Sequence, residues 1–319
     1  MTEQPQEQPQ PGRHQQEQQA QQQQQIQQQQ KHNQQQQWQF PRTVVGGVSL
    51  PRMLIGTNWL LGYSHTGQAA DRLIRSRNHS VEAICEVLDA YLVYGVDAIM
   101  GPISMDESYF YDAIRRTEEK HGRELIKIDT PGLNVEDSCE ARKEANATIR
   151  RSAKFGSRFC MPHHYSVEQL VDKGSEQIRR IPDYLAMIRE AGMIPGMSAH
   201  MPEIVIYADK NGYDVETYIQ IFNCAGFLMQ IEAETVARII HGAKKPVMTI
   251  KPMAAGRITP YIGLTFSFSA IRPVDMVTLG AFTPDEVHED VEISRAALEH
   301  RYPDLEKRSS PAAAQSLLK

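Results

Sequence analysis

The sequence predicts an α/β protein closed into a (β/α)₈ (TIM) barrel. Three observations carry that expectation. Short apolar runs alternate with amphipathic stretches from Pro41 to about Tyr302. Eight such runs follow one another with no break in composition. The length they span is close to the ~250 residues of a barrel of this kind. Strict alternation of strand and helix implies a parallel sheet. A doubly wound sheet is disfavoured, because no G-x-G-x-x-G turn follows the first apolar run.

The eight strand candidates are Arg52–Thr57, Val96–Gly101, Glu124–Asp129, Ser157–Pro162, Met193–Ser198, Thr217–Phe222, Pro246–Lys251 and Val274–Leu279. Between them, Val81–Tyr94 places Ile84, Val87, Leu88, Tyr91 and Leu92 on one helical face, with Ser80 as N-cap and Gly95 as stop. Val167–Ala191 reads as one long helix that Gly174 and Pro182 break or kink. Pro284–Glu299 reads as the last helix, entered through Thr283 as N-cap. Glu232 is expected as a first-turn carboxylate facing a helix dipole. Alternation turns Asp97 away from the barrel interior, into a structural role.

Residues 1–40 are more than half glutamine and contribute few bulky apolar side chains, so they are expected to form a disordered arm. Glutamine tracts can self-associate, which leaves assembly, including homo-oligomerisation, as a role for it. Residues 41–302 form the barrel and 303–319 a flexible tail. The net charge of −5 and the lack of a recurring basic stripe argue against nucleic acid. The Arg150, Arg151 and Lys154 cluster reads as a solvated helix face. Cys85, Cys139, Cys160 and Cys224 have no paired spacing, hence neither a zinc motif nor a disulfide framework. There is no apolar leader and no run long enough to cross a bilayer, so a cytoplasmic protein with a small-molecule substrate is expected.

Several segments, in order, resemble the aldo-keto reductase superfamily. The stretch GGVSLPRMLIGTNW, ending at Trp59, is similar to that family's N-terminal hairpin and first strand. Gly95–Arg115 resembles its second strand and helix entry, and AGMIPGMSAHMPE with the later Ile221-Phe222-Asn223 resembles strands five and six. Val247–Gly256 and Gly280–Asp290 resemble the strand-seven and strand-eight segments that contact a nicotinamide nucleotide. The resemblance thus implies cofactor contacts from Ser198, Gly256, Gly280, Thr283 and Asp290.

The departures bear on function. Where the family has its catalytic Asp and Tyr, this chain has Met100 and Met105; where it has Lys, the chain has Asp129-Thr130, with Lys127 two residues too early. Only the family's histidine has a counterpart, in His163 or His164. The proton donor for ordinary carbonyl reduction is therefore missing. Phe282, Asp285 and Glu286 stand where a 2′-phosphate would need a cation, which disfavours NADPH and leaves NAD(H) open.

Residues at the carboxyl ends of barrel strands face the site. There the sequence offers His163, His164, Asp129 and Lys251 as catalytic candidates, and Asn58, His65, His200, Asn223 and Arg257 as substrate contacts. Histidine can serve as general acid and base, with Asp129 as the partner of His164. Alternatively His163, His200 and Glu203 could hold a divalent metal. Lys251, assisted by Arg257, is expected to anchor an anion, with a Schiff base as the less favoured role. The readings left open are an aldo-keto-reductase-like enzyme acting on a small polar carbonyl or sugar-like substrate, through nicotinamide-dependent oxidoreduction or cofactor-free acid–base chemistry; a metal-assisted lyase or isomerase; and a non-catalytic ligand-binding barrel.

Overall fold

The computed structural model describes residues 38–77, 80–105 and 109–305. The chain divides into Met1–Gln39 and Phe40–Lys319. The expected arm lies, up to residue 37, outside the described residues, as does the tail from residue 306. Phe40 does not belong with the arm. It is buried, its N–H donates to Tyr94 O at 2.8 Å, and its ring meets Phe268 at 5.7 Å.

The second unit begins with a hairpin, β1 (Arg42–Val45) and β2 (Val48–Pro51). Its two-residue turn needs positive φ twice, which Gly46 (54°) and Gly47 (82°) supply. The barrel then follows in chain order. Its strands are β3 (Met53–Gly56), β4 (Ala98–Gly101), β5 (Ile126–Asp129), β6 (Phe159–Cys160), β9 (Ile194–Ala199), β10 (Thr217–Ile221), β11 (Val247–Ile250) and β12 (Met276–Leu279). They pair in parallel in that order, and β12 closes on β3. All eight expected strands are present.

Outside the strands pack α1 (Gln68–Arg77), α2 (Val81–Val93), α3 (Tyr109–His121), α4 (Cys139–Lys154), α6 (Ile181–Glu190), α7 (Glu203–Asn211), α8 (Ala233–Gly242), α9 (Pro260–Ala270) and α10 (Pro284–Leu298). Ser80 caps α2 by accepting from Ala83 N, and Thr283 caps α10 by accepting from Glu286 N. No described helix is long and apolar enough to cross a membrane.

Period-two alternation fills the barrel interior with Leu54, Met100, Ile128, Met161, Ile219, Met248 and Met276. Val45 and Leu50 of the hairpin join the same cluster and close its amino-terminal end. That end is also tied by charge. Buried Asp275 accepts from Val247 N (2.8 Å) and from Arg272 Nε (2.9 Å), while Arg52 Nε donates to Asp275 O. Asp97 pairs with Arg42 at 3.0 Å, the structural role expected of it.

Val167–Ala191 is not one helix. It divides into a short α5 (His164–Glu168), a hairpin of β7 (Val171–Asp172) and β8 (Gln177–Ile178), and α6. Asp172 Oδ1 accepts from Gly174 N and Ser175 N, a turn that competes with helix. Pro182 does not kink anything. It lies in the first turn of α6, where a missing N–H costs nothing.

Candidate active site

The carboxyl ends of the strands surround a cavity of about 460 Å³. Met100, Ile219 and Ile250 form its apolar floor. Asn58, His65, His163, His164, Ser198, His200 and Lys251 bring polar atoms to its walls, with Thr57, Tyr63, Thr130 and Thr278. Among the described residues no carboxylate lines it.

Four imidazoles converge although their residues are scattered along the chain. His163 and His164 follow β6 at the entry to α5, and His200 follows β9. The rings of His164 and His200 stack at 3.8 Å and 14°, and His163 lies 4.3 Å from His164. Glu168, one turn on from His164, organises the cluster. Its Oε1 accepts from His200 N (2.6 Å) and Met201 N (3.0 Å), and its Oε2 stands 3.5 Å from His164 Nδ1. At 3.5 Å the last is a long contact rather than a good hydrogen bond. Burial alone would raise the Glu168 pKa, but the His164 ring and the two N–H donors hold it below the ordinary glutamate value.

Burial, then the neighbouring His164 and Lys251, depress His200 to about 3; burial and the same neighbours depress His163 to about 4. Both are neutral near pH 7. His65 is also lowered, by burial first and Lys251 next. Its Nε2 lies 2.8 Å from Asn58 Nδ2. An amide nitrogen donates only, so Nε2 accepts and the neutral His65 ring carries its proton on Nδ1.

Lys251 enters the cavity against the pattern of its strand. Ile250 packs on the interior cluster, so continued alternation would turn residue 251 toward the helices. A left-handed backbone at Lys251, φ 59°, redirects it. Non-glycine residues in that region cost roughly 1–3 kcal/mol and concentrate at functional sites. Ala254 (49°) and Ala255 (56°) share the conformation in the same loop. Burial pushes the Lys251 ammonium down to about 8.

The other sequence candidates lie elsewhere. Asp129 faces the helix layer, because its neighbour Ile128 takes the interior position. It is fully buried and accepts from Ser152 Oγ (2.5 Å) and Ser104 N (3.3 Å), so the acid beside His164 is Glu168. Asn223 closes its own loop through Phe227 N (2.8 Å) and Phe227 O (3.0 Å). Arg257 lies over the Phe227 ring at 4.1 Å and does not join Lys251 as a second cation at the cavity. Glu203 pairs with Lys173 at 2.6 Å, so the expected His163–His200–Glu203 ligand set does not assemble. Among the described residues no three His, Cys, Asp or Glu side chains could hold a metal ion. Glu232 stands one residue before α8 as its N-cap and makes no side-chain capping bond.

No family profile matches the chain, and no curated protein matches it in sequence. Solved structures do match it in shape. A Pseudomonas aeruginosa protein assigned as an aldo-keto reductase superposes with a TM-score of 0.57 at 13% identity, over 81% of this chain and 96% of that one. The aldo-keto reductase AKR11C1 of Bacillus halodurans, in its holo form, gives 0.52 at 11% identity, over 84% and 99%. The glycerol dehydrogenase AKR11B4 of Gluconobacter oxydans gives 0.50 at 13%, over 84% and 98%. The chain shares the barrel fold of these solved structures.

The sequence resemblance implies nucleotide contacts along strands seven and eight. Ser198, Gly256 and Gly280 do line the cavity. Where the resemblance implies the 2′-phosphate of NADPH, however, the strand-eight loop places a carboxylate. Thr283 Oγ1 and the Glu286 carboxylate form a capping box at the start of α10, with Glu286 accepting from Phe282 N at 3.0 Å. A carboxylate thus holds the place where a helix N-terminus would take an anion. Phe282 is flanked by Trp59 (5.0 Å) and by Arg77 (5.1 Å). Asp290, expected as a cofactor contact, is buried beside Tyr91.

Proposed function

We propose that this barrel is an enzyme that moves a proton on a small, uncharged hydroxy-carbonyl compound of sugar-like type, as in an isomerisation or epimerisation, without a bound cofactor. One observation carries the reading. A cavity of about 460 Å³, with no lining carboxylate among the described residues, gathers four imidazoles and one lysine. Its volume, apolar floor and hydroxyl-bearing walls suit a small polar molecule, and among the described residues no second lysine or arginine lines it to hold a highly charged one.

The substrate carbonyl would lie against the Lys251 amine, which polarises it. The C–H beside that carbonyl is thereby acidified, and the His164–His200 pair takes the proton and returns it. Glu168 opposes the positive charge that His164 gains, while Asn58 fixes the His65 tautomer and presents a fixed polar wall. Thermal-shift titration with neutral hydroxy-carbonyls, simple carboxylates and phosphate esters tests the substrate class. The neutral set is expected to raise the melting temperature; stabilisation by the charged sets alone would exclude this class.

A second reading has its own support: Ser198, Gly256 and Gly280, three positions implied as nicotinamide contacts, face the cavity. In that reading NADH, lacking the extra phosphate, serves an oxidoreduction of the same substrates. A melting shift with NADH and none with NADPH favours it.

A further inference from the structure

We propose that Lys251 is the covalent nucleophile of the cavity, forming an imine with the carbonyl carbon of a neutral hydroxy-aldehyde or hydroxy-ketone. The inference rests on the reading of this cavity as a carbonyl site, and it goes beyond that reading.

Three features separate this lysine from an electrostatic anchor. Its backbone takes the left-handed conformation, φ 59°, at a position where the strand pattern would send it outward. Its cavity neighbours include Ile219, Ile250, Met253 and the rings of His163 and His200, both neutral near pH 7, and among the described residues no carboxylate lines the same space to stabilise a permanent charge. Arg257, which an anion-binding pair would require, is engaged on Phe227 instead. An amine held in such surroundings has a larger free-base fraction than an exposed one. The lowering of its pKa to about 8, caused by burial, agrees with that placement.

The step balances within the cavity. The Lys251 nitrogen lone pair attacks the carbonyl carbon, and the C=O π pair moves to oxygen, which takes a proton. The nitrogen gives up a proton to a neighbouring imidazole. The hydroxyl then leaves as water after a second protonation, and the C=N bond forms. The imine, once protonated, withdraws the electrons left behind when a base removes the adjacent C–H proton.

The test uses the full chain with dihydroxyacetone and cyanoborohydride at pH 7, which delivers hydride to an imine carbon and fixes it as a secondary amine. Peptide mass mapping is expected to find the dihydroxypropyl adduct on Lys251 at a rate at least ~10-fold above that of surface lysines, whose pKa near 10.4 keeps them protonated. Lys251→Met and Lys251→Arg, checked for folding by circular dichroism, are expected to lose that adduct. Exchange of dihydroxyacetone C–H for deuterium in D₂O is followed on the same samples. Enzyme-dependent exchange with no preferred adduct at Lys251 overturns the covalent role and leaves the proton-transfer reading standing. Neither exchange nor adduct overturns both.

Discussion

The imidazoles of His164 and His200 lie stacked 3.8 Å apart, and a single carboxylate, Glu168, reaches both residues. It touches the ring of His164 and the backbone N–H of His200. The geometry of the pair therefore depends on a side chain that does not itself line the cavity. Glu168→Ala leaves the N–H groups of His200 and Met201 without their acceptor, an expected loss of about 2–4 kcal/mol of stability from two unsatisfied donors. Urea denaturation measures it, and Glu168→Gln, which keeps an acceptor oxygen, should recover about half.

Acid should weaken the barrel earlier than its carboxylates alone would predict. His200 and His163 have folded values of about 3 and about 4, below the 6.5 of an unfolded histidine. The unfolded chain therefore binds more protons than the folded one between pH 6.5 and these values. The stability held by the neutral rings is complete above pH 6.5 and is lost as pH falls toward 4. A loss on the order of 2–3 kcal/mol per ring is expected between pH 7 and 4.5, since each unit of difference is worth about 1.4 kcal/mol. Comparing urea midpoints of wild type and His200→Gln at the two pH values checks it; the variant should show a smaller drop.

The fold was largely legible in the sequence, because a period of two for strands and 3.6 for helices survives in the apolar pattern. Alternation also fixes which strand residues face inward, and it shows why Asp129 was misplaced as a partner of His164. It is a polar residue at a strand end, but Ile128 beside it holds the interior parity. Lys251 is the opposite case, reaching the cavity only through a positive φ that no residue type announces. Glu168 went unrecognised because it fell inside an expected long helix. Its i+4 spacing from His164 was the available signal. Tyr63 and Thr57 at the cavity wall follow a strand whose loop geometry is not written in periodicity.

At the amino-terminal end of the barrel, Asp275 joins β11 to β12 through Val247 N and the Arg272 guanidinium. Asp275→Ala leaves a buried donor and a charge uncompensated, with an expected cost of about 3–5 kcal/mol. The cavity lies at the other end of the strands, so substrate-dependent melting shifts should keep their size in whatever fraction folds.

The capping box at α10 yields two outcomes. Thr283→Ala removes the acceptor for Glu286 N and should cost about 1 kcal/mol. NADPH should leave the melting temperature of the wild-type chain unmoved, because Glu286 holds the helix N-terminus that its phosphate would use. A shift that grows with NADPH concentration would show that this loop rearranges to accept the nucleotide.

Proton transfer by the stacked histidines is tested most directly by solvent deuterium exchange into dihydroxyacetone, followed by proton NMR with wild type, His164→Ala and His200→Ala. The account predicts enzyme-dependent exchange for the wild type and a fall of about 10²-fold or more for His164→Ala, the size expected when a general acid–base group is removed. Exchange by the wild type that both variants retain would contradict the assignment of the histidine pair. No exchange above the buffer rate would contradict the proposed reaction itself.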